Sequence, residues 1–205
     1  MARVTAERAG QTKRELLSAA QTVLVSEGFA GLSTRRVADG AGTQMSQIQY
    51  HFGSKEGMIL ALFESMNAGL IERQSRTFDQ PNLSIAEKWD LACDYFDEDI
   101  ASGYVRVLQE LIAAGWSNDK IGSAVRKALA EWHKLLIALV QEAADSQGRV
   151  GPFTPEGLAA LIACAFMGAE ALILLGYEEQ IHPIRDVLRQ VGEVIASVER
   201  QAPEG

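Results

Sequence analysis

Apolar positions recur at helical spacing along almost the whole chain. Leu16, Leu17, Ala20, Val23 and Leu24 share one face, and Phe29 and Leu32 follow as core anchors beyond Gly28. Thr12-x-x-Glu15 has the form of a capping box, so the first helix is predicted to start at Thr12 and stop at Gly28. Ser33 is placed to cap a short second helix over Thr34–Gly40, Gly42 makes a turn, and a third helix runs from about Gln44 to Phe52. Ser54 caps a fourth, with Ile59, Leu62, Phe63, Met66 and Leu70 on one side and an end near Arg76.

Asp79-Gln-Pro-Asn82 breaks the pattern, and Ser84-x-x-Glu87 restarts it as a second capping box. Ile85, Trp89, Cys93, Phe96 and Ile100 form a clear stripe, ended by Ser102-Gly103. A sixth helix is expected over 104–114, closed by Gly115. A long seventh covers 118–147, with Ile121, Val125, Leu129, Trp132, Leu136, Leu139 and Val140 inward. After a loop at 148–153, Thr154-Pro155 supplies a cap and a proline at the first helical position of helix eight, which extends to Gly176. His182-Pro183 opens the ninth, carrying Ile184, Val187, Leu188, Val191, Val194, Ile195 and Val198. The expected fold is all-α, with about nine helices and neither strands nor repeats.

Charge divides the chain more sharply than composition does. Residues 1–55 hold seven basic and four acidic side chains, whereas 56–205 hold twelve and twenty-three, within a net charge of −8. A polyanionic partner is therefore confined to the N-terminal end. Cys93 and Cys164 lie on apolar stripes without disulfide or metal spacing, and are expected to be buried, reduced thiols. The first fifteen residues are polar and charged, so no signal peptide is expected. Segment 158–176 is nearly apolar over a bilayer's length, but Glu170 interrupts it and no basic residue flanks it closely. A core or interface helix, rather than a membrane span, is the expectation.

The second and third predicted helices suit a helix-turn-helix. Ala38 is small where the helices cross, Gly42 tolerates positive φ in the turn, and Ile48 faces inward, with Val37 and Phe52 adding packing. With Ile48 inward, Met45, Ser46, Gln47, Gln49 and Tyr50 share the outer face. Glutamine amides both donate and accept and can pair with adenine. Helix N-termini and Lys55 suit phosphate. A tight helical hairpin with a solvated polar face would satisfy the same spacing.

The order of residues adds to this. SEGF (26–29), GLSTRRVAD-x-AG (31–42) and IQYHFGSKEGMILALF (48–63) give residues 12–64 a resemblance to the N-terminal domain of the TetR family of bacterial transcription regulators. The resemblance implies a DNA-binding domain over 10–70 and a ligand-binding and dimerisation domain over 71–205. It implies DNA-facing roles for Thr34, Arg35, Arg36, Gln44, Met45, Ser46, Gln47, Gln49, Tyr50, His51 and Lys55. Three departures stand out: Thr43 replaces a usual valine, Gly40 adds a glycine inside a helix, and Gln49 replaces an aromatic, so that Tyr50 is the candidate aromatic phosphate contact. Arg3 and Arg8 are candidates for a basic arm.

One such module covers too little DNA to be specific, so a cytoplasmic homodimer joined through the last two helices, acting on a double-stranded operator, is expected. The resemblance further implies a small-molecule effector bound in the C-terminal domain, whose binding shifts the fourth helix and the spacing of the reading heads, as in a repressor. Candidate lining residues are Trp89, Cys93, Phe96, Tyr104, Leu108, Trp132, His133, Phe166 and Glu170. Glu170 could meet a cationic ligand group, pair across the dimer with Arg185 or His133, or sit at a wet seam. The run Asp94, Asp97, Glu98, Asp99 reads as a solvated helix end rather than a metal site, and no cofactor or metal is expected. A competing reading is an all-α small-molecule or lipid carrier, or an enzyme using an apolar cavity. Against an enzyme, no nucleophile–base–orienter set is legible around the three histidines, His51, His133 and His182.

Overall fold

The structure, a computed structural model, describes residues 2–147, 151–177 and 183–200, the side chains of 2–6 and 147 excepted. Its described residues form nine helices and no strand. These are α1 (Ala2–Gly31), α2 (Thr34–Gly40), α3 (Met45–Phe52), α4 (Lys55–Phe78), α5 (Ile85–Ala101), α6 (Tyr104–Gly115), α7 (Asp119–Gln147), α8 (Pro155–Leu174) and α9 (Ile184–Glu199). His182, expected to open the ninth helix, lies outside the described residues.

The caps explain most boundaries. Ser33 Oγ accepts from Arg36 N at 3.3 Å, Ser54 Oγ from Gly57 N at 2.9 Å, and Thr154 Oγ1 from Gly157 N at 3.1 Å. Ser84 and Glu87 bond reciprocally, at 2.8 and 3.2 Å. The box expected at Thr12 is not a helix start. The helix already runs from Ala2, and the Glu15 carboxylate accepts from Gln11 Nε2 at 2.8 Å instead of reaching back to a free N–H. Arg3 and Arg8 accordingly stand on helical backbone rather than on an extended arm. Gly28 does leave helical geometry, at φ 73°, although the helical assignment resumes to Gly31.

The chain divides into two compact units. The first takes residues up to Ala68 together with Ile100–Val125, the second Gly69–Asp99 with residues from Arg126 onward. The segment from α6 to the start of α7 thus belongs with the N-terminal helices, whereas the sequence suggested two contiguous stretches. The core of the first unit is apolar and closed: Leu16, Leu24, Leu32, Val37, Met58, Val105 and Val107 are fully buried. Tyr104 stacks on Phe63 with centroids 5.8 Å apart, and its hydroxyl donates to Asn67 Oδ1 at 2.9 Å.

In the second unit α9 lies antiparallel along α5. Arg185 Nε donates to Asp97 at 2.6 Å, Arg189 to Asp94 at 2.8 Å, and Trp89 Nε1 to the Leu188 carbonyl at 2.7 Å. At the far end Glu199 accepts from the first backbone N–H of α5, Ile85 N, at 2.8 Å. Gly192 permits the approach, because a Cβ there would fall 2.6 Å from Asp90 Oδ1. Glu98 and Asp99 pair instead with Arg73 of α4. The acidic run is thus a set of arginine partners in which Asp94 and Glu98 stay exposed and Asp99 is buried. Lys88, 1 % exposed, donates to both carboxylate oxygens of Glu142 at 2.7 Å, which offsets the cost of desolvating its charge.

Helices α8 and α9 each carry an exposed apolar row. Length and composition would let α8 cross a membrane, yet little of it is buried within the single chain. Leu161, Ala165, Gly168, Leu172 and Leu175 form its exposed row. Val187, Val191, Val194 and Val198 form that of α9. Both rows step by alternating fours and threes, the spacing of a helix-bundle seam. Cys93 is buried, and burial pushes its thiol up to about 11. Cys164 is exposed beside the α8 row, contrary to the expected burial; apolar neighbours in sequence do not distinguish a core from an outer face.

Candidate nucleic-acid interface and aromatic cluster

The corner between α2 and α3 is built by local hydrogen bonds. Thr43 N donates to Ala38 O at 2.9 Å and Gly42 N to Asp39 O at 3.1 Å. This double closure is a Schellman motif, which requires a left-handed residue at the position of Gly42, φ 63°. Thr43 supplies its N–H to the motif, a role that does not need the valine side chain it replaces. Ala38 and Ile48, each 1 % exposed, lock the two helices inward.

That lock decides what α3 presents. Gln44, Ser46 and Gln49 are exposed, Met45 is 54 % exposed and Tyr50 75 %, while Gln47 and Thr34 are half-buried. Lys55 opens α4 and is exposed. Arg35 projects outward, with only a long 3.9 Å approach to Asp39. Arg36 is different: it forms an ion pair with Glu27 of α1 and so braces the α1–α2 corner. Glu27 was not singled out from sequence, since nothing in its spacing announces that partner. His51 is half-buried, and its Nε2 is enclosed with no hydrogen-bond partner, so this atom is unavailable to an outside group. Tyr50 meets the His51 ring edge-on at 4.9 Å.

The nine candidate lining residues do not all meet. Phe166 is the hub: Trp89 and Phe96 approach it at 5.6 Å between centroids and Trp132 at 6.4 Å, all near edge-on. Cys93 is buried on the same helix as Trp89 and Phe96. His133 is half-buried, and its Nε2 has no hydrogen-bond partner. Glu170 is half-buried on α8, one turn beyond Phe166. Tyr104 and Leu108 are instead core residues of the first unit. Arg185, named as a candidate partner for Glu170, is engaged with Asp97.

Sequence reasoning missed Gln74, which is buried on α4 and accepts from Trp132 Nε1 at 3.0 Å. A signal existed: Gln74 lies four residues past Leu70, on the same apolar stripe, where a polar residue calls for a partner. Beside it, Arg73 donates to both oxygens of Asp99 at 2.8 and 2.9 Å. Burial pushes the Asp99 carboxyl up, and the guanidinium opposes that shift. Among the described residues no group of three His, Cys, Asp or Glu is arranged to hold a metal ion.

Residues 16–62 match the model of the bacterial regulatory proteins, tetR family. The HTH-type transcriptional regulator CymR of Pseudomonas putida is 37 % identical over 71 residues, 35 % of each chain. The HTH-type transcriptional repressor NicS, also of Pseudomonas putida, is 27 % identical over 96 residues, 45 % of each. The chain thus aligns with less than half the length of these curated relatives. Solved structures extend the likeness at the level of fold. The transcriptional regulator FadR of Bacillus subtilis, in complex with stearoyl-CoA, superposes with a TM-score of 0.68 at 17 % identity, over 90 % of this chain and 98 % of that one. A regulator from Saccharomonospora viridis in complex with choline gives 0.75 at 17 % identity, over 90 % and 96 %. A TetR transcription regulator from Haloarcula marismortui gives 0.74 at 16 %, over 92 % and 97 %. The helix-turn-helix corner thus lies inside the segment, residues 16–62, that matches the tetR family of bacterial regulatory proteins, and the nine helices of the described residues share the fold of solved transcription regulators.

Proposed function

We propose that the chain is a cytoplasmic, dimeric repressor that grips a palindromic operator through 10–70 and is released by a small molecule held in 71–205. The observation that carries this is the corner itself: Ile48 turned inward while Met45, Ser46, Gln49 and Tyr50 stand outward on a short, rigid α3. Base edges are read by Gln44, Met45, Ser46, Gln47 and Gln49. Phosphates are met by Thr34, Arg35, Tyr50 and Lys55, with Arg36 mainly a brace. The exposed rows of α8 and α9 form the dimer seam, a four-helix bundle about a two-fold axis, setting the two α3 helices roughly 34 Å apart along one face of the duplex.

The effector binds among Trp89, Cys93, Phe96, Trp132, His133, Phe166 and Glu170. Solved structures of this fold in complex with stearoyl-CoA and with choline support the reading that the chain holds a small molecule. Full release from the operator needs a differential affinity of about 5.5 kcal/mol between the two states.

Selection of binding sites from random DNA by the purified protein tests the reading. A two-fold symmetric site should emerge, and its affinity should fall log-linearly with salt, by about 0.9 log units per phosphate neutralised for each decade. Recovery of no enriched sequence, with flat salt dependence, would defeat the proposal.

A further inference from the structure

The two indoles of the aromatic cluster point their N–H groups at two different helices. Trp89 donates to the Leu188 carbonyl of α9, and Trp132 donates to Gln74 of α4. Both rings also rest on Phe166. Among the side-chain hydrogen bonds that α4 makes in this unit are Arg73 to Asp99, Gln74 to Trp132, and Thr77 to Tyr95 at 2.6 Å. The first and third of these reach α5. The Gln74 contact alone of the three ends on a ring that packs against Phe166. Gln74 is 7 % exposed, so any movement of the Trp132 ring leaves its carbonyl without water as a substitute.

We propose that Trp132 and Gln74 are the positioning pair through which a change at Phe166 is read out at α4. This rests on the effector and DNA-binding reading above and names its route. Helix α4 is one uninterrupted helix from Lys55 to Phe78, so a shift imposed at Gln74 is carried by its backbone to the phosphate-binding end. A ring entering the cluster must displace Phe166, which is already packed by three aromatic neighbours. Trp132 then moves with it or loses its edge contact, and either way the bond to Gln74 is strained. Van der Waals packing alone would tolerate such a shift; a buried amide with one indole partner does not.

The test is a mutant cycle on the full-length protein, with no effector required. Phe166→Leu alters the cluster while keeping it apolar. It is made in the parent and in Trp132→Phe/Gln74→Leu, an apolar pair that orphans no polar group. Two quantities are read: affinity for the selected operator fragment, and amide exchange of α4 between Leu70 and Phe78. In the parent, Phe166→Leu should change operator affinity by roughly fivefold or more and raise exchange in α4. In the double-variant background both effects should shrink to within about twofold. Equal effects in both backgrounds, or none in the parent, overturn the proposal. A merely structural role would lower thermal midpoints alike in both backgrounds without this difference in affinity. If the parent binds no DNA, the functional reading fails on its own, and the exchange data still support or overturn the link between Phe166 and α4.

Discussion

Replacing Gly42 by alanine isolates the cost of the turn that aims α3. A Cβ at this position meets no atom within 4 Å, so space is not the issue. The cost is conformational: φ is 63°, and an L residue there loses about 1–2 kcal/mol relative to the right-handed region. Alanine also restricts the unfolded chain, which returns about 0.4–1 kcal/mol. The net expectation is a local destabilisation of about 1 kcal/mol. Gly40→Ala is the control. Its backbone is helical, and the added methyl lands 3.4 Å from the Ala19 Cβ, an ordinary contact. Helix propensity should then stabilise the segment, by less than the ~1 kcal/mol of a helix centre because position 40 ends α2. Amide exchange across 37–52 measures both. Gly42→Ala should exchange about fivefold faster and Gly40→Ala more slowly, with Gly42→Asn between parent and alanine because asparagine tolerates the left-handed region. If Gly42→Ala exchanges no faster than the parent, the left-handed requirement is not what holds the corner.

The α8–α9 seam predicts that Val194→Asp converts a dimer to monomers in sedimentation equilibrium while helicity is retained; an unchanged mass would place the interface elsewhere. The same seam should shield Cys164 from a thiol reagent in the parent and expose it in Val194→Asp, so rapid labelling of the parent dimer contradicts it. Cys93, with its native thiol raised to about 11 from an ordinary 9.0, should resist labelling in both. Its contribution to stability is present below pH 9 and lost as pH rises toward 11, at about 1.4 kcal/mol per unit; Cys93→Ala should flatten that part of the stability curve, and an unaltered curve counts against the burial argument. Charge reversal at Lys55 should weaken all DNA sequences alike and reduce the salt slope by about one phosphate, whereas an effect at a single base position rules out its phosphate role.

What could be read in advance follows from how far each interaction reaches. Ser33, Ser84–Glu87 and Thr154–Pro155 were legible because a cap bonds backbone within four residues of itself. Thr12–Glu15 carried the same local signature, but helical residues continue upstream and Gln11 takes the carboxylate. The α2–α3 corner was legible for the same local reason. Lys88–Glu142 and Arg185–Asp97 were not, since their partners lie 54 and 88 residues away and a charge gives no local sign of a distant partner. Cys164 misled because the apolar stripe that fills a core and the one that awaits a second surface look alike until the fold assigns sides.

The polar fastenings between α5 and α9 sit at both ends of α9, two of them in its first five residues, so they fix its rotation about its own axis as well as its position. The valine row on the opposite side is therefore aimed before anything approaches it. Valine in a helix has essentially one side-chain rotamer, so little freedom remains to be lost when that row is covered. The surface is a set template whose shape was settled during folding, and whatever occupies it must fit a contour it cannot remould.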